Sequence, residues 1–93
     1  MRRRLTTMAV ALALVAPMAQ AACFVDYKAK RDDPLRLHYG VMRLAEAECD
    51  QPERAVAARI AVDGWQLLAI EGQFDRRGAE TRKEDAGAFY LRY

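Results

Sequence analysis

Ninety-three residues, 53% hydrophobic and 30% charged, suffice for one small domain and little more. The 15 basic and 13 acidic residues are interleaved, which leaves no single-signed stripe of the kind that binds nucleic acid or an anionic membrane surface. The chain has no serine, a single histidine (His38) and two distant cysteines, so neither an activated nucleophile nor a standard zinc spacing can be read from it; no catalytic, cofactor or metal residues are assigned, and no enzyme activity is expected.

Residues 1–21 carry the parts of a secretory signal: Arg2, Arg3 and Arg4 first, then an apolar run from Met8 to Met18, then Ala19-Gln20-Ala21 before a cut. The apolar run is shorter than the ~20 residues a membrane span needs. Removal of the signal takes three arginines from the 15 basic residues and leaves 12 against 13 acidic, so the basic balance of the precursor says nothing about partners. The expectation is a periplasmic or secreted domain over residues 22–93, free of the membrane after cleavage. In an exported chain Cys23 and Cys49 are expected to form a disulfide. Acylation of Cys23 as a lipoprotein, with Gln20 where such a motif wants an aliphatic residue, and intermolecular pairing through one free thiol are the alternatives.

From Cys23 to Lys30 the residues alternate in character, which predicts a half-exposed strand, with Phe24 breaking the polar side. Asp32-Asp33-Pro34 is turn chemistry. Alternation resumes at 35–44, with Leu35, Leu37, Tyr39 and Val41 expected toward the core and Arg36, His38, Gly40 and Met42 outward. The two strands are expected to pair as a hairpin, which makes His38 a surface residue.

Asp50 stands where a helix N-cap belongs, with Glu53 three residues on and Pro52 in the first turn. The helix is expected over 51–63, with Val56, Ala57, Ile60 and Ala61 inward, and Gly64 ending it. Leu67 to Ile70, four apolar residues in a row, predict a strand covered on both faces or at the sheet centre. Residues 75–87, dense in charges of both signs, read as a solvated loop. Residues 88–93 read as a last strand pairing antiparallel with 65–74.

The helix ending in Gly64-Trp65, the Gln66-Leu67-Leu68 strand and the aromatic, basic end together resemble domain of unknown function 4177, a family of short bacterial proteins, over residues 35–93. The resemblance implies a small α+β fold and no established activity, and it transfers no site residues. The signal, the cysteine pair and the segment 23–30 depart from that family's pattern.

The fold expected is α+β: an antiparallel sheet of three or four strands, one helix on one face, and a Cys23–Cys49 clip. The function expected is that of a non-catalytic interaction or binding module, with another periplasmic protein or a second copy as partner. A secreted inhibitor of a cell-wall or proteolytic enzyme, acting through 75–87, is the competing reading. Tyr90, Arg92, Arg76, Arg77, Arg82 and Lys83 are the candidate partner surface, because aromatics and arginine are enriched where interfaces are strongest.

Overall fold

The computed structural model describes residues 22–93; the expected signal, residues 1–21, lies outside the described residues. Strands β1 (Cys23–Arg31) and β2 (Arg36–Leu44) form an antiparallel hairpin whose register runs from Cys23 opposite Leu44 to Arg31 opposite Arg36. Asp33 turns the chain with φ 63°, a left-handed conformation that Asp tolerates better than most side chains. Strand β3 (Gln66–Phe74) pairs antiparallel with the other edge of β1, giving the order β2-β1-β3. The fold is therefore α+β, with three antiparallel strands.

β1 takes the central place that its sequence only half announced. Phe24 breaks the polar side of its alternation because that side is covered too: Phe24, Val25, Asp26, Tyr27 and Ala29 are all buried. β3, expected at the centre, is instead an edge strand with Leu68 half-exposed. Its register against β1 shifts between Asp26 and Tyr27 and again between Lys28 and Ala29. Each shift inserts an extra β3 residue, Glu71 and Leu68 respectively, so the run Leu67 to Ile70 is split between directions rather than buried on both sides. Bulges of this kind twist an edge and make it a poor template for further pairing.

Helix α1 (Pro52–Ile60) covers one face. Its N-cap is Gln51, without a side-chain bond, not Asp50. The local capping occurs one turn earlier, where Glu48 Oε1 accepts the Ala45 N–H at 2.9 Å and the chain forms a short 3-10 turn, Glu46–Glu48. After Ile60 the helix tightens into a 3-10 turn, Ala61–Asp63, and Gly64 takes the left-handed conformation at φ 81°. The Trp65 N–H then reaches back to the Ile60 carbonyl at 3.2 Å and the Gly64 N–H to Ala61 at 2.9 Å, the double bond pattern that closes a helix on glycine. Val56 and Ile60 pack with Val25, Tyr27, Ala29, Met42, Leu44 and Trp65 in the main core. Cys23 and Cys49 are joined by a disulfide, Cα atoms 6.2 Å apart, that ties the start of β1 to the approach to α1. A closed loop of that length stabilises by about 3.5 kcal/mol on the chain-entropy estimate.

The opposite face is where the sequence reading fails. Residues 75–87 are not a solvated loop: they fold into helices α2 (Arg76–Glu80) and α3 (Lys83–Ala86), and Ala79 and Ala86 are buried against Phe24 and Val41. Asp75 caps α2 by accepting the Gly78 N–H at 2.9 Å. Residues 88–93 do not pair with β3. They begin within a 3-10 turn, Gly87–Phe89, and join the sheet at one parallel bridge, Tyr90 to Val41, on the outer edge of β2. With Gly87 and Leu91 both at φ 54°, the chain bends too sharply there for an extended strand. Among the described residues no helix is long and apolar enough to cross a membrane.

Candidate functional site

The hairpin sets up one end of the molecule. Because Cys23 pairs with Leu44, alternation puts His38, Gly40, Met42 and Leu44 on the α1 side and Leu37, Tyr39 and Val41 on the other. The set assigned outward from the sequence thus faces the main core, and His38 is buried, at 8% exposure, while Val41, assigned inward, is buried in the smaller core of the other face. Gly40 lies directly opposite Tyr27. A Cβ there would come within 2.5 Å of the Tyr27 hydroxyl, so the glycine is what lets the Tyr27 ring cross β2. That ring delivers its Oη to His38 Nε2 at 3.0 Å.

Aromatic rings close around the imidazole. Phe89 stacks on it with centroids 3.7 Å apart and planes 9° from parallel, and Trp65 meets it edge-on at 4.3 Å. Tyr93 lies further out at 6.5 Å. Among the described residues His38 Nδ1 has no hydrogen-bond partner. Burial, helped by the positive charges of Arg31 and Arg92, pushes the His38 pKa down to about 4, so the ring is neutral near pH 7. Burial also pushes the Tyr27 hydroxyl pKa well up, leaving it a neutral donor or acceptor.

Above this aromatic floor is a cleft of ≈ 390 Å³, lined by Arg31, Arg36, Arg92 and Asp63 beside the rings, with Leu37 at its rim. Arg31 lies 4.2 Å over the Trp65 ring, and its Nη1 donates to the Asp63 carbonyl at 2.8 Å. Arg92 sits 5.7 Å from the centroids of both Phe89 and Tyr93. Stacking holds guanidinium planes while leaving N–H edges free to donate. Arg31 and Arg36 are direct cross-strand partners, a like-charge placement that disfavours the pairing. Among the described residues none of the three guanidiniums is ion-paired. The Asp63 carboxylate accepts the Tyr93 hydroxyl at 2.6 Å instead, and this bond, after burial, contributes to the raised Tyr93 pKa.

On the far face the arginines have work inside the fold. Asp26 is buried, and its Oδ2 accepts from Tyr39 Oη at 2.8 Å and from Arg82 Nε at 3.2 Å. The Arg82 guanidinium also stacks 3.9 Å from Phe74 and donates to the Gly78 carbonyl at 2.7 Å. Burial and the bond to Asp26 push the Tyr39 pKa up to about 12. On the α1 face, Arg59 pairs with Glu48 and donates to the Arg43 carbonyl at 2.9 Å.

The six residues singled out from sequence do not form one surface. Arg92 belongs to the cleft. Tyr90 and Lys83 share a shallow depression beside α3, with the Lys83 ammonium 5.8 Å from the Tyr90 ring. Arg76 and Arg77 line a dip on α2, and Arg76 leans over Phe24 at 5.4 Å. Arg82 is committed to Asp26. Arg31, Arg36, His38, Trp65 and Phe89 were missed as a group. The hairpin itself held the signal for two of them: a four-residue turn between Arg31 and Arg36 places them opposite each other.

Compared with protein-family models, with curated proteins and with solved structures, the chain finds no match.

Proposed function

We propose that the chain is an exported, non-catalytic binding module and that its ligand-facing surface is the arginine-lined cleft, which recognises an anionic group. The observation that carries this reading is the gathering of Arg31, Arg36 and Arg92 without, among the described residues, a carboxylate in salt-bridge range. A bound oxyanion would offset the repulsion between Arg31 and Arg36, and forked guanidinium edges suit carboxylate, sulfate or phosphate oxygens. The neutral His38 beneath them supplies shape rather than charge. Export rests on the sequence of residues 1–21 and agrees with the Cys23–Cys49 bond, since disulfides persist in oxidising compartments.

Trp65 is the only tryptophan and lies under Arg31, so its fluorescence reports on the cleft. Titration with inorganic phosphate and with acetate is expected to change that emission saturably. The paired substitution Arg31→Gln with Arg92→Gln is expected to weaken the response at least tenfold. An unchanged response in that variant would place anion binding elsewhere.

A further inference from the structure

A second depression lies on the other face of the hairpin and meets the cleft at Leu37. On the outer face of the hairpin a groove of ≈ 330 Å³ is lined by Lys28, Leu37, Tyr39 and Leu68, and its walls are mostly carbon. Leu37, 65% exposed, lines both it and the arginine cleft. Leu68, 52% exposed, reaches the groove from the bulge in β3. This end of the sheet is bare for a geometric reason. Helices α2 and α3 have five and four residues, roughly 7 Å each at 1.5 Å per residue, whereas a nine-residue strand spans roughly 30 Å. They cover Phe24 and Val41 and stop short of the turn.

We infer that the two depressions form one site for an anionic amphiphile with a single apolar chain: its oxyanion head at Arg31, Arg36 and Arg92, its chain across Leu37 and along Leu68 and Tyr39. The inference rests on the anion-binding reading of the cleft and adds the chemistry of the rest of the ligand. Three guanidiniums at one end and mostly carbon walls at the other, where Lys28 is the one charged lining residue among those described, match a molecule with those two ends, and the two volumes together fall within the range of small-molecule sites. A peptide fits less well. Strand addition needs a free sheet edge, but the groove lies on the sheet face, where the β1 and β2 backbones are already paired with each other.

The test is Trp65 fluorescence and calorimetry on the purified protein with its disulfide intact, using acetate, inorganic phosphate, hexanoate, decanoate and uncharged decyl maltoside, all below micelle concentrations. Decanoate is expected to bind at least tenfold more tightly than hexanoate and than either small anion. Arg36→Gln with Arg92→Gln is expected to weaken decanoate at least tenfold. Leu68→Gln, at a half-exposed position that leaves the core intact, is expected to remove the dependence on chain length while acetate and phosphate bind as before. Equal affinity for decanoate and decyl maltoside would overturn the role of the head. Phosphate or acetate binding as tightly as decanoate would overturn the amphiphile and leave the anion site standing. Failure of every anion to bind would overturn both.

Discussion

The arginines of this small fold divide into two sets that differ in what holds them. Arg82 and Arg59 each face a carboxylate, Asp26 and Glu48, and each also donates to a backbone carbonyl, that of Gly78 four residues back for Arg82 and that of Arg43 on β2 for Arg59. Arg31, Arg36 and Arg92 gather at the turn end of the hairpin with aromatic rings, with the Asp63 carbonyl bonded by Arg31, and with no carboxylate partner among the described residues. An arginine between an acid and a carbonyl ties segments together, and its removal costs stability. Arginines crowded against one another cost stability where they stand, and such a cost persists in a fold when a site requires it.

The largest expected effect sets the scale for both sets. Cys23→Ser with Cys49→Ser should lower unfolding free energy by about 3.5 kcal/mol, read by urea denaturation, because β1 and α1 lose their clip. Arg82→Met should come next, at about 1–2 kcal/mol: it leaves the buried Asp26 carboxylate with Tyr39 as its sole hydrogen-bond donor, but the partial exposure of the arginine reduces the loss below that of a fully buried pair. Arg36→Gln should have the smallest effect and the opposite sign, a gain of a few tenths of a kcal/mol, because it relieves a like-charge cross-strand pair. A loss of stability in Arg36→Gln comparable with that in Arg82→Met would erase the distinction between the sets.

Acid probes the same comparison through His38. Its folded pKa lies near 4, below the ordinary 6.5, so the unfolded chain binds the proton more readily and stability should fall as pH drops from about 6.5 toward 4. His38→Gln should flatten that part of the profile. Glu48, whose pKa is lowered by its bond to the Ala45 N–H, contributes only as pH falls through the carboxylate range, below about 4.5, which separates it from the histidine in the upper half of the window.

The sequence was most legible where a local signal had one structural answer. Pro52, the Val56 and Ile60 stripe and Gly64 define the helix and its end, Asp33-Pro34 defines the turn, and the two cysteines define the clip. It was least legible where period-two alternation had to choose a face. Leu35 and Leu37 made the wrong side of β2 look apolar, although they stand at the bare turn end, while Gly40 looked polar because the sequence alone does not show that Tyr27 fills its space. The bulges at Leu68 and Glu71 disguised an edge strand as a central one. The signal for α2, Asp75 three residues before Gly78, was hidden among charges that read equally well as a loop. The cleft was lost with His38, since a histidine assigned to the surface cannot draw Trp65, Phe89 and the arginines together.

Arginine side-chain Nε–Hε resonances, followed by ¹H–¹⁵N spectroscopy during titration with inorganic phosphate, test the division most directly. Saturable shifts confined to Arg31, Arg36 and Arg92, with the Trp65 indole moving alongside them, are the predicted result. Shifts that fall instead on Arg76, Arg77 and Arg82, or that spread evenly over all arginines without saturating, would contradict it.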